Sequence, residues 1–371
     1  MGNRKEKKRG DKYQLQEKTM AKAERLPIKR KVEPPAVTFG VCAACDPRID
    51  EAARERTANI VEIIADVIAR QVKMPDGAPA RVLWTPVLID GEQQADLVAR
   101  QFKDAGIDAL VCTPDTWAFP QLTLMSLLAH FPPDLPVNIT CGNSAPKPGV
   151  VYAHAVNGAL AQSGRLTSLN VGAWPDTGMK PKPSDETARA LVDWCYAALA
   201  YAGLKGRRVV VFGHDSMGME TALAHVIPTR NAFGIEITRL DMKLLADMLQ
   251  KGACDAVELK KLRAWLNRHI GNRIDLSQDD ADRKLDQSLA MYLIMRNLLA
   301  DLNAVGGGFM NQLEWASDTR GVPLPICDVA ESLMNSTFDH TGRKPVVPFA
   351  TEADVQGLLT KLGMTWLSGG N

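Results

Sequence analysis

A chain of 371 residues, 46% hydrophobic and 23% charged, has room for two ordinary cores and the composition of a soluble globular protein. Its formal net charge of +1 gives no reason to expect nucleic acid or an anionic membrane as partner. No apolar run reaches the length of a membrane span.

That balance hides an uneven distribution. Residues 1–32 hold 12 Lys/Arg against 4 Asp/Glu, a local charge of +8 that leaves about −7 for the rest. The segment has almost no apolar periodicity, so residues 1–35 read as a disordered basic tail. It lacks the apolar core of a secretory signal, and Glu6, Asp11, Glu17 and Glu24 argue against a transit peptide. A start at Met20 is the alternative reading. The seven cysteines (42, 45, 112, 141, 195, 254 and 327) are odd in number and lack disulfide-like spacing, which reads as reduced thiols in a cytoplasmic protein.

From residue 36 strands and helices alternate. The pattern predicts a strand over 36–42, a long amphipathic helix over 49–72, a strand over 82–89 and a helix over 93–103 ending at Gly106. Strands follow at 110–113, 136–141 and 166–172, with a helix over 150–162 between the last two. Five strands spaced by helices predict a mostly parallel, doubly wound sheet in a domain spanning 36–183. A Pro/Gly-rich linker over 173–184 opens a second α/β domain, 184–371. There the spacing predicts a helix over 186–201, a strand over 208–213, a helix over 217–226 and a strand over 234–240. Three helical patterns cover 242–302. Gly306-Gly307-Gly308 reads as a break before a strand over 309–316, and a helix over 327–334 leads to a strand over 346–350. The fold class is therefore α/β, with two consecutive flavodoxin/Rossmann-like domains.

The last of these strands delivers Thr351 to a helical run in which Val355, Leu358, Leu359, Leu362 and Trp366 share one face. Thr351 and Asp354 fit a capping box, which puts Glu352 at the first helical position and at a strand's carboxyl end. Open α/β sheets bind ligands there. Acidic residues also favour that position through the helix dipole alone, without function. Arg48 and Trp117 lie past strand ends too. Arg48 either reaches a sugar hydroxyl or pairs with Asp50 or Glu51; Trp117 either stacks on an apolar sugar face or packs. Cys42-Ala43-Ala44-Cys45 has the spacing of a redox dithiol, but small buried thiols at a strand end are the preferred reading. The turn His214-Asp215-Ser216-Met217-Gly218-Met219 lacks the glycine spacing of a dinucleotide fingerprint.

In combination these segments resemble the L-fucose isomerase family. The resemblance rests on Gly40-Val41 through Asp46-Pro47-Arg48, Thr113-Pro114 through Trp117, Pro148-Gly149-Val150-Val151-Tyr152 and Ser216-Met217-Gly218. Its strongest part is Leu333-Met334-Asn335-Ser336-Thr337-Phe338-Asp339, then Gly342, then Ala350-Thr351-Glu352 and Asp354. It implies an enzyme that interconverts an aldose and its 2-ketose, of the L-fucose/L-fuculose or D-arabinose/D-ribulose type. It also implies Mn²⁺, a cis-enediol and a homohexamer with two N-terminal domains and a C-terminal one per chain. Glu352 matches the family's catalytic, metal-ligating glutamate. Arg48 and Trp117 match substrate contacts supplied by a neighbouring subunit. Two departures leave the sugar open: Met310 stands where the family has a substrate-binding Gln, with Gln312 two residues on, and Cys42 replaces a family Arg. The second and third metal ligands, an Asp and a His, would fall beyond Asn371, so the expectation is an inactive N-terminal portion. A non-catalytic sugar-binding or assembly subunit is the alternative of a different class.

Overall fold

The computed structural model describes residues 36–142, 148–175, 178–214, 219–277, 280–310 and 327–369. The basic tail, the Ser216-Met217-Gly218 segment and Gln312 lie outside the described residues. In the first unit β1 (Thr38–Cys42), β2 (Arg81–Trp84), β3 (Ala109–Cys112), β4 (Val137–Cys141) and β5 (Thr167–Val171) alternate with helices. These are α1 (Glu51–Gln71), α2 (Glu92–Ala105), the short α3 (Leu124–Leu128) and α4 (Gly149–Gln162). The strands form one parallel sheet in the order β2-β1-β3-β4-β5. This is the flavodoxin-like order, with its reversal between β1 and β3. Local signals set the helix ends. Asp50 caps α1 by accepting from the Ala53 N–H, and Gly106 closes α2 at φ 65°.

Helix α5 (Asp185–Leu204) leads to the second unit, which holds β6 (Arg208–Phe212), α6 (Val226–Phe233) and β7 (Glu236–Leu240). Three helices follow: α7 (Met242–Gln250), α8 (Ala256–Ile270) and α9 (Ala281–Asp301). Then come β8 (Ala304–Phe309), α10 (Cys327–Asn335), the hairpin β9 (Phe338–Asp339) and β10 (Gly342–Arg343), β11 (Phe349–Ala350) and α11 (Val355–Leu367). The second parallel sheet has the order β11-β8-β6-β7, with its reversal between β6 and β8.

The two units share one core. Leu191, Cys195 and Leu199 of α5 are buried together with Phe39 and Val41 of β1, Val209 and Val211 of β6, and Leu358 and Trp366 of α11. Trp366 lies flat enough on Gly203 that a Cβ there would come within 2.2 Å of the indole. Both predicted doubly wound sheets are present.

Three local readings are corrected. Gly306, Gly307 and Gly308 do not break the chain ahead of a strand over 309–316; they lie inside β8, and residues 311–316 are outside the described residues. Neighbouring backbone demands them: a Cβ would meet Pro348 O at 2.6 Å from Gly306 and Val210 O at 2.7 Å from Gly307. The helix expected over 217–226 is, in its described part, a 3-10 turn at Glu220–Ala222 followed by α6. That start puts Pro228 in a first turn, where its missing N–H costs nothing. The third correction concerns the cap before α11 and is taken up with the site.

Candidate active-site residues at two sheet edges

The carboxyl edge of the first sheet carries Arg48 after β1 and Trp117 after β3, at the point where strand order reverses. Arg48 pairs with Asp46, not with Asp50 or Glu51. Its backbone N–H and Nε donate to Asp46 Oδ1 at 2.9 Å each, and Nη2 donates to Oδ2 at 2.7 Å. Asp50 is instead occupied capping α1. The Asp46 side chain is 1% exposed while that of Arg48 is 67% exposed, so a buried carboxylate holds a surface guanidinium. The hydrogen bonds and charge of Asp46 raise the arginine's pKa further. The guanidinium carbon lies 5.7 Å from the centroid of the Phe119 ring, and Trp117 meets the same ring edge-on at 6.2 Å. Phe119 thus brings the two candidates together.

The Trp117 loop is anchored from α4. Gly149 N–H donates to Asp115 O at 3.0 Å, and a Cβ at Gly149 would stand 2.4 Å from Pro114 O. Tyr152, one turn on, is buried with its hydroxyl 3.0 Å from Thr123 Oγ1. The Pro148-Gly149-Val150-Val151-Tyr152 segment therefore seats a helix against the loop. Beneath, Cys42 and Cys45 are buried thiols: hydrogen bonding to Cys112 together with burial raises Cys42 well above the usual thiol range, and burial pushes Cys45 up to about 12. Neither has the lowered pKa of a redox dithiol.

The carboxyl edge of the second sheet carries His214 after β6, Met310 after β8 and Glu352 after β11. Met310 packs onto Gly213, whose φ of 102° bends the chain, and its sulfur accepts the His214 N–H at 3.0 Å. Its own N–H donates to Phe212 O at 2.9 Å.

Glu352 is not at the first position of a capped helix. Thr351–Ala353 form a 3-10 turn in which Glu352 has φ 55° and ψ 27° and Ala353 has φ 51°. The cap of α11 is Asp354, which accepts the Gly357 N–H at 2.8 Å. Thr351 is unavailable because its hydroxyl donates to Glu331 Oε2 at 2.8 Å. Two consecutive non-glycine residues in the left-handed region cost on the order of 1–3 kcal/mol each and persist only where their surroundings enforce them.

The enforcement comes from α10. Asn335 Oδ1 accepts the Phe349 N–H and its Nδ2 donates to Phe349 O, both at 3.0 Å, so one side-chain amide pairs with β11 as a neighbouring strand would. Lys361 Nζ adds a second bond to Phe349 O at 2.8 Å. Glu331, one helical turn before Asn335, is 5% exposed and takes the Thr351 hydroxyl. The hairpin beyond is fixed by Asp339, which accepts from Tyr292 Oη at 2.8 Å and from Thr341 N–H at 2.7 Å. Burial works to raise the Asp339 carboxyl, but the bonds from Thr341 and Tyr292 outweigh it and hold its pKa below the usual range.

Sequence reasoning missed Glu331 and Phe119. Their signal was slight: a Glu and an Asn at i, i+4 on one short helix, and a second aromatic two residues after Trp117. Among the described residues no hydrogen bond, ion pair or ring contact joins Arg48 or Trp117 to Glu352. Nor do the described residues gather three His, Cys, Asp or Glu side chains able to hold a metal ion. No described helix is long and apolar enough to cross a membrane.

Comparison with known proteins agrees with this anatomy. Residues 36–206 match the family described as L-fucose isomerase, first N-terminal domain, and residues 207–369 match L-fucose isomerase, second N-terminal domain. L-fucose isomerases of Streptococcus pneumoniae strains Taiwan19F-14 and CGSP14 are each 26% identical over 333 residues, covering 82% of this chain and 54% of their own length. The chain thus spans about half the length of the curated relatives it matches. With both sheets, the Asn335 clamp and the Glu352 turn in the segments those domains cover, the chain belongs to the L-fucose isomerase family and corresponds to its two N-terminal domains.

Proposed function

We propose that this chain is the N-terminal portion of an aldose–ketose isomerase of the L-fucose/L-fuculose or D-arabinose/D-ribulose type, working in the cytoplasm. The observation that carries the reading is Glu352, a carboxylate held in a left-handed turn at the carboxyl end of β11, an edge strand of the second sheet. Moving a proton between C1 and C2 of a sugar through an enediol requires a carboxylate fixed beside those carbons. The strained turn and its clamp supply that fixed position.

The family implies manganese, and the described residues do not fit a complete site for it. Glu352 is one donor, and no second and third donors are gathered around it. Glu352 would act as one proton carrier between C1 and C2. Arg48 and Trp117 would bind the sugar's hydroxyls and apolar face. As the family resemblance implies, the chain would assemble as a homohexamer in which Arg48 and Trp117 of one subunit complete the site around Glu352 of another. Met310, beside His214 at the same sheet edge, would be a further sugar contact, and Gln312 would supply the amide that Met310 lacks.

The test is to read the gene past codon 371 and assay the whole open frame and the 371-residue chain with a panel of aldoses and Mn²⁺. Ketose formation by the longer product, lost in Glu352→Gln, is expected, with none from the 371-residue chain. Turnover by that chain alone would overturn its incompleteness; no turnover by either protein would overturn the isomerase reading.

A further inference from the structure

We infer that Asp46 and Phe119 are positioning residues that hold Arg48 and Trp117 as a pre-set platform for a polyol. This inference rests on the reading of Arg48 and Trp117 as sugar contacts. A surface arginine is ordinarily mobile and gains little from an ion pair. Here the partner carboxylate is 1% exposed and so is itself fixed in the core, unlike the acid of an ordinary surface pair. What the arrangement achieves is direction. Three bonds from one residue to Asp46 fix the plane of the guanidinium, and the Phe119 ring 5.7 Å below fixes its height. Of five guanidinium N–H groups, Asp46 takes two, which leaves donors on an exposed group for hydroxyl oxygens.

The same ring sets Trp117. An edge-on contact at 77° and 6.2 Å leaves the indole half-buried, so one residue controls both the cation and the aromatic surface. A flat indole beside fixed donors suits a sugar, which offers an apolar C–H face and a rim of hydroxyls. It does not suit an inorganic anion, because Asp46 offsets the charge of Arg48. Both loops also leave strands that flank the reversal of strand order, where such sheets bind ligands.

The experiment titrates the purified chain with L-fucose and with an aldose epimeric at C4, following saturation-transfer NMR. The proteins are the wild type, Arg48→Ala, Trp117→Ala, Asp46→Asn, Phe119→Leu and Arg48→Lys, each checked by circular dichroism. Asp46→Asn and Phe119→Leu should each weaken L-fucose binding about tenfold, the size of one lost hydrogen bond or contact. They should also narrow the preference between the two sugars, an effect that general loosening of the fold does not produce. Arg48→Lys, which cannot be held bidentately, should behave like Asp46→Asn. If Asp46→Asn does not fold, Phe119→Leu carries the test. The inference fails if Arg48→Ala and Trp117→Ala lose binding while Asp46→Asn and Phe119→Leu keep both affinity and preference. If Arg48→Ala and Trp117→Ala bind sugar as the wild type does, the underlying reading fails and the inference falls with it.

Discussion

The Asn335 amide is the sharpest place to test how the Glu352 turn is held. In Asn335→Ala the buried Phe349 N–H loses the 3.0 Å bond it makes to Asn335 Oδ1. An unsatisfied buried donor costs about 1–3 kcal/mol. Phe349 O keeps its 2.8 Å bond from Lys361, so that half of the clamp is lost at little cost. The shortened side chain leaves a small gap worth about 1 kcal/mol more. The sum is a loss of about 2–4 kcal/mol, concentrated at β11 and the turn after it. Urea unfolding followed by circular dichroism reads the total, and hydrogen exchange over residues 349–354 reads its location. Lys361→Met is the control and should cost less, because Asn335 still serves Phe349 O. A change below about 0.5 kcal/mol with unchanged exchange would refute the idea that this amide stands in for a strand.

Further expectations concern the rest of the fold. Glu258 Oε1 receives Arg296 Nη2 at 2.9 Å and lies 3.1 Å from His340 Nε2, with side-chain exposures of 13%, 7% and 5%. Glu258→Ala should therefore destabilise by about 3–5 kcal/mol in denaturant titration, and Glu258→Gln by clearly less, since it keeps an acceptor. Gly307→Ala should prevent folding to soluble protein on expression, because its Cβ would press on Val210 O and the Phe349 ring. The thiols set a pH dependence. Burial raises Cys45 and Cys141 to about 12 in the folded chain, against about 8.5 unfolded. Folding therefore retains protons that the unfolded chain loses, so their contribution to stability is complete below about pH 8.5 and is lost between there and pH 12. Replacing both by Ser should flatten the fall in urea midpoint over pH 8.5–10. A wild-type midpoint that rises over that range, or falls as steeply in the variant, would contradict this.

Periodicity made most of the architecture legible. The long α1 repeat, the Gly106 stop and five short β-rich runs were enough for the first sheet, because each signal is local. What failed was decided by contacts distant in sequence. Three glycines in a row read as a break until Pro348, just before β11, and Val210 of β6 are seen to press on Gly306 and Gly307. Thr351 read as a cap because nothing near it in sequence reveals that Glu331 takes its hydroxyl. Arg48 lay next to three carboxylates, and only the fold shows that Asp46, pulled inward, is the one it meets. Glu352 stands out in the sequence for its place at a strand end, whereas its left-handed backbone has no signature in the residue type.

Trp366 resting on Gly203 bears on how far the two sheet edges can move against each other. The last described helix and the helix that links the two sheets are locked at a contact with no room for a methyl group, inside a core that runs unbroken between the units. A hinge needs a boundary where few side chains interlock, and this junction is not one. The loops after β1 and β3 and the turn after β11 therefore travel as one body. Relative motion of the two sheet edges would have to disrupt this packing, and substitutions at Gly203 would act by tilting one edge against the other.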